Sequence, residues 1–227
     1  NLFRANAIIN VLHMMWAYGI RQGFVTGNPW SQMKLTQPPK RVTIWSKEQF
    51  QIALDTCDKF ETLTPLKLLL QMCYYLGQRP SDCINVPCAN LNGEFITIVQ
   101  GKTKKILHVY VPEVLRERLN EIKTTPMPGT EGNPRYPETF FSFYPHSFKT
   151  IYNRHFVEMR EYSHLPKELQ IRDLRRTAVT ELADGGATDA EIVATSGHSP
   201  NSDVMANVYR LRTAVQSRNG QMKRFGL

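Results

Sequence analysis

The stretch Ile171–Tyr209 reads IRDLRRTAVTELADGGATDAEIVATSGHSPNSDVMANVY. Its local signals agree with one another. Asp173 is placed to cap a helix over Leu174–Ala183, and Gly185-Gly186 stops it. Thr188 and Glu191 stand at capping-box spacing and open a second helix, which Gly197 ends. His198 therefore falls on a turn just past a helix end. Ser199-Pro200 then predicts a third helix, with Tyr209 near its close.

The residue types in this stretch suit chemistry on a phosphate. Arg172, Arg175 and Arg176 cluster at its start. Guanidinium forks grip phosphate oxygens in pairs. The imidazole of His198 can donate a hydrogen bond to the same group. The phenol of Tyr209 can act as a nucleophile that forms a covalent intermediate.

Working outward, residues 2–21 show helical periodicity that Gly23, Gly27, Asn28 and Pro29 break. One amphipathic helix cannot bury its own apolar face, so it needs a packing partner. Residues 31–44, with Gln37-Pro38-Pro39-Lys40-Arg41, read as an extended basic linker. Ser46 and Gln49 form a capping-box pattern that opens a helix to Lys59, and Thr64-Pro65 opens a longer one. That second helix, PLKLLLQMCYYLG, is apolar nearly all round and belongs in the core. Arg79 is the first charged residue after it, so it must be exposed or paired, and Asp82 is near enough to pair with it.

Further on, Phe95–Val99 and Ile106–Val111 read as a β-hairpin whose turn, Gln100–Lys105, carries Lys102, Lys104 and Lys105. Asn92-Gly93 marks an earlier turn that joins a short preceding strand. Residues 113–124 form a charged amphipathic helix, 125–145 a loop, and Ser147–Tyr162 another helix. The fold class is α+β, mainly helical, with a small antiparallel sheet.

The charge is unevenly spread. The net charge is +8. Residues 1–42 hold five Lys/Arg and no acid, as do residues 204–227, while the middle is nearly balanced at 18 basic against 20 acidic. Basic ends on a balanced body suggest a polyanionic partner. Cys57, Cys73, Cys83 and Cys88 form no C-x-x-C pair, which argues against a zinc site and for reduced structural thiols. No apolar run is long enough to cross a membrane, and no secretory leader is visible. The chain opens on Asn rather than Met, as a piece of a longer protein would.

LRRTAVTELADGGATDAEIVATSGH together with the upstream GQRPSD (Gly77–Asp82) resembles the catalytic domain of the tyrosine recombinases, the phage integrase family. The resemblance covers Val42–Tyr209, and its motifs stand in the family's order. It implies residues 1–30 as the end of a helical core-binding domain, 31–44 as linker, 45–212 as catalytic domain and 213–227 as a tail that docks on a neighbouring subunit. It also implies Tyr209 as nucleophile, Arg79 and Arg175 on the nonbridging oxygens, and His198 as a further donor. Lys102 is the best match for the general acid, with Lys104 as runner-up. Lys40, Arg41, Lys104, Lys105 and Arg176 are expected along the DNA backbone, although Arg176 could instead pair with an acid. The expected partner is double-stranded DNA carrying recombination sites, bound by a homotetramer with DNA-bending accessory proteins. No metal or nucleotide cofactor is expected, and the setting would be the cytoplasm of a bacterial host cell, in association with its nucleoid.

Two departures stand out. The family's His-x-x-Arg has Arg172 in its first position here. The resemblance counts it in the catalytic set, but arginine cannot serve as a base near neutral pH, so it would instead lower the phenol's pKa as a nearby cation or bind phosphate. The spacing from His198 to Tyr209 is also longer than usual, with the surplus in Pro200–Asp203. Two alternatives stay open on sequence alone: a DNA-binding relative that no longer cuts, and strand cleavage of the type IB topoisomerase kind.

Overall fold

The computed structural model describes residues 2–33, 35–36, 41–130, 132–198, 218 and 222. Lys40, the helix expected from Ser199, Tyr209 and nearly all of the tail lie outside the described residues. The chain divides into two units, Asn1–Arg41 and Val42–Leu227. The division falls inside the expected linker.

The first unit is built on α1 (Leu2–Arg21), none of whose residues is buried. Within that unit Trp16 meets Trp30 edge to face at 6.3 Å. The Asn28 side chain lies 3.2 Å from the His13 ring, and Asn6 donates to the Thr36 carbonyl.

The second unit holds the hydrophobic core. Its helices include, among the described residues, α2 (Lys47–Asp58), α3 (Thr64–Leu76), α4 (Pro80–Ile84), α5 (Glu113–Thr124), α6 (Phe148–Tyr162), α7 (Asp173–Asp184) and α8 (Asp189–Ser196). Its strands are β1 (Leu91–Asn92), β2 (Phe95–Val99) and β3 (Ile106–Tyr110). They form an antiparallel sheet in the order β1-β2-β3, with Ile96 opposite Val109 and Ile98 opposite Leu107. Those four point to the core, and their neighbours along each strand point out.

α3 is the central element. Leu66, Leu68, Leu69, Leu70, Met72, Cys73 and Leu76 are all buried. At about 1.5–3 kcal/mol for each large apolar side chain removed from water, this one helix anchors the unit. Ser46 and Gln49 make the expected capping box at the start of α2. The Trp45 backbone N–H donates to Thr177 Oγ1 at 2.8 Å and its indole N–H to the Gln170 carbonyl at 3.1 Å. The first residues of the unit are thereby tied to α7.

The start of α7 corrects the sequence reading. The helix begins at Asp173, and Arg172 rather than Asp173 occupies the capping position. The Asp173 carboxylate faces backwards instead and accepts from the Gln170 N–H at 3.0 Å. Its other oxygen accepts from Arg176 at 3.0 Å. A buried carboxylate is satisfied better by these two donors than by the ends of its own helix. At the far end of the site, Thr188 and Glu191 form their capping box, and Gly197 ends α8 in the left-handed region at φ 70°.

Candidate active site

Three turns meet at one place: the end of α3, the tip of the β2–β3 hairpin and the end of α8. Gly77, left-handed at φ 62°, ends α3 and redirects the chain into Gln78-Arg79. Proline at position 80 then opens α4, so Arg79 sits at a helix entrance. Its Nη1 lies 3.3 Å from Asp82 Oδ2. The other carboxylate oxygen of Asp82 accepts from the Gly101 N–H at 3.1 Å, which ties the hairpin to the Arg79 turn.

Arg175 comes from α7 and is 2 % exposed. Its Nη1 donates to the Gly77 carbonyl at 3.0 Å and to Gln78 Oε1 at 3.1 Å. Its Nη2 donates to the Ser196 carbonyl and stands 3.3 Å from His198 Nε2. A buried guanidinium needs such acceptors, and the helix ends supply carbonyls that have no partner inside their own helices.

Gln78 and Gln100, both fully buried, are the hidden part of the site. Gln100 Nε2 donates to Gln78 Oε1 at 2.9 Å and to the Ser196 carbonyl at 3.0 Å. Thr103 closes the hairpin turn by donating to Gln100 Oε1 at 2.7 Å. Gln78 Nε2 donates to the Leu76 and Thr195 carbonyls. The three turns therefore share one hydrogen-bond network, and Arg175 is held from two sides by it.

The tautomer of His198 follows from its partners. Ser196 Oγ has one proton and donates it to the Ile192 carbonyl at 2.6 Å. Its contact with His198 Nδ1 at 2.7 Å must then be one in which Nδ1–H donates. In the neutral ring, Nε2 is left as an acceptor for Arg175. Burial, followed by the nearby charges of Arg175, Arg79 and Lys105, pushes the His198 pKa down to about 3. The ring is neutral at physiological pH.

The lysines divide. Lys102 and Lys104 are exposed on the hairpin turn, Lys104 with a left-handed backbone at φ 56°. Lys105 folds inward and donates to the Gly197 carbonyl at 3.0 Å, beside His198. Sequence reading placed Lys105 only along the DNA backbone and missed this position. It also missed Gln78, Gln100 and Ser196, although Gln78 and Ser196 sit inside the quoted motifs. Arg172 is exposed and borders a cavity together with Arg79.

Arg176 corrects its expected place on DNA. It is 7 % exposed, and its Nη1 donates to Asp173 and to the Thr43 carbonyl at 2.8 Å. It braces the start of the unit, as the alternative reading of an acid pair had it. Arg41, the last residue of the first unit, is half-buried. The four cysteines are buried, and burial raises the thiols of Cys57, Cys73 and Cys88 above their usual range. Among the described residues no helix is long and apolar enough to cross a membrane.

The family model described as "Phage integrase family" matches residues 44–214, well over half of the chain. The chain belongs to the phage integrase family, and its second unit has the tyrosine-recombinase catalytic fold. A lambda integrase dimer bound to a COC' core site is similar at TM-score 0.71 and 19 % identity, over 92 % of this chain and 59 % of that one. The chain thus spans less than two thirds of that relative. The Tn1549 transposon integrase in complex with circular intermediate DNA is similar at TM-score 0.67 and 16 % identity, over 97 % of this chain and 79 % of that one. No curated protein matches the chain.

Proposed function

We propose that this chain is the strand-cleaving and strand-joining part of a site-specific DNA recombinase. The observation that carries the reading is the meeting of Arg79, Arg175, His198 and Lys105 at three turns tied together by hydrogen bonds, in a chain of this family whose Tyr209 follows in sequence. In this reading the Tyr209 oxygen attacks phosphorus and the 5′ oxygen leaves with a proton. The product is a 3′-phosphotyrosine ester, and a second 5′ hydroxyl reverses the step on another strand. Because one ester replaces another, no nucleotide is spent.

Arg79 and Arg175 neutralise the nonbridging oxygens as charge builds. Each such contact is worth roughly 2.7–4 kcal/mol in the transition state, by analogy with loss of one oxyanion donor. The Arg175 Nη2 to His198 Nε2 bond is the one a phosphate oxygen replaces. Nδ1–H stays committed to Ser196, so Nε2 donates to phosphate once the ring gains a proton, which the anion favours. Lys102 remains the proposed general acid, delivered by the exposed hairpin turn, with Lys105 as the inner cation. The related lambda integrase has been seen as a tetramer bound to a Holliday junction. The same assembly is proposed here, with residues 213–227 joining neighbours.

The test is a nicked suicide duplex carrying the element's attachment site, incubated with wild type and Tyr209→Phe in EDTA. A denaturing gel is then run for a protein–DNA adduct. An adduct with wild type alone is expected. An adduct with both proteins would place the nucleophile elsewhere. Tight binding with no adduct from either would favour a relative that no longer cuts.

A further inference from the structure

A cavity of about 520 Å³ lies between the Arg79–Ser81 turn, α6 and the start of α7. Arg79, Arg160 and Arg172 line it with Tyr152, Asn153 and Gln170, and among the described residues no carboxylate side chain does. Cations gathered in a cleft without an acid raise the local concentration of anions. Arg160 is held in place: its Nη1 donates to the Lys167 carbonyl at 2.7 Å and the Leu169 carbonyl at 3.1 Å. Its guanidinium carbon stands 5.9 Å from the centre of the Phe156 ring. Those hydrogen bonds engage one nitrogen of the fork. Asp82 likewise engages one nitrogen of Arg79.

We propose that this cavity binds the DNA backbone phosphodiester adjacent to the one that is cleaved, with Arg160 and Arg172 as its ligands and Arg79 on the side of the cleaved group. The inference rests on the recombinase reading above. A water occupies roughly 30 Å³ in the liquid, so the cavity has room for more than a lone phosphate group. Neighbouring phosphates of one strand are a single nucleotide apart, so a strand that holds one beside Arg79 presents the next to the cavity that Arg79, Arg160 and Arg172 share. Tyr152 and Asn153 offer neutral donors of the kind that position a backbone. This role also accounts for arginine at position 172. A permanent cation serves a phosphate site, where a base would not be needed.

The test uses Tyr209→Phe protein, which binds without cutting, in three forms: parent, Arg160→Met and Arg160→Lys. On a generic 20-base-pair duplex, Arg160→Met lowers the slope of log affinity against log salt by about 0.9, and Arg160→Lys retains it. On the half-site mapped by the adduct assay, one neutral methylphosphonate is placed at each phosphate around the cleavage point. In the parent, the position next to the cleaved one loses roughly tenfold in affinity, as expected for a charged hydrogen bond. In Arg160→Met that loss disappears, while the loss at the cleaved position persists. An equal response of parent and Arg160→Met at every position overturns the proposal. So does a slope lost in Arg160→Lys as well, because Arg160 would then only brace the 165–170 loop. A missing adduct discards the recombinase reading and with it the assignment to a phosphate next to a cleaved one; an Arg160 effect on the generic-duplex salt slope would then mark only a backbone contact.

Discussion

His198 is buried, neutral and committed through Nδ1–H to Ser196, and these facts make its titration visible in stability. In the unfolded chain its pKa returns to the ordinary value of 6.5, while in the folded protein it is pushed down to about 3. Between those values the unfolded state binds more protons, so stability contributed by the neutral ring is present above 6.5 and lost as pH falls. The slope is at most about 1.4 kcal/mol per pH unit in that window. Urea unfolding of wild type and His198→Asn at intervals from pH 7 to pH 4 checks this. The variant should show the flatter profile, and identical slopes would mean that another group carries the acid sensitivity.

The ends of α3 and α8 and the hairpin turn work as one joint, and Gly197 is where it is tightest. A Cβ built there would lie 2.8 Å from Gln100 Nε2, with the backbone at φ 70°. Gln100 cannot move aside cheaply, because both ends of its amide are held by Gln78, Ser196 and Thr103. Gly197→Ala should cost about 1–3 kcal/mol from backbone strain alone, with more from the displaced amide. Because the same amide abuts Arg175's acceptors, adduct formation should fall at least tenfold even at temperatures where the variant is folded. Thermal melting and the suicide-substrate assay, run side by side, separate the two effects. Unchanged cleavage in a folded variant would show that the Gln100 network does not position the site.

At the scale of the molecule, every described side chain of the main hydrophobic core lies between Trp45 and Leu174, within the second unit. Residues 1–41 add positive charge without adding to that core. A chain starting at Val42 should therefore melt within about 4 °C of the full chain, less than 1–2 kcal/mol of stability for a domain of this size. Its DNA affinity should drop and its salt dependence flatten, since backbone contacts scale with neutralised phosphates. Scanning calorimetry and salt-titrated binding check the two halves. A large fall in melting temperature would mean that the first unit supports the second.

Local chemistry decides the elements, and the local order of residues carries it. The capping boxes at Ser46 and Thr188, the stops at Gly77 and Gly197 and the alternation in β2 and β3 were all legible because each depends on neighbours a few residues apart. The family was legible for the same reason, since its motifs are short and ordered. What could not be read was which groups compete for one another once the chain is packed, whether 3 residues apart, as Asp173 and Arg176 are, or 133, as Arg176 and Thr43 are. Asp173 reads as a cap until Gln170 and Arg176 compete for its oxygens. Arg176 reads as a surface cation until Thr43 and Asp173 enclose it. Lys102, Lys104 and Lys105 are equivalent in a polar turn, and only the approach of the Gly197 carbonyl, just past α8, draws Lys105 inward. Gln78 and Gln100 carry no signal of their own, because a glutamine is usually a surface residue. Burial makes their hydrogen bonds obligatory, and burial is a property of the packed chain.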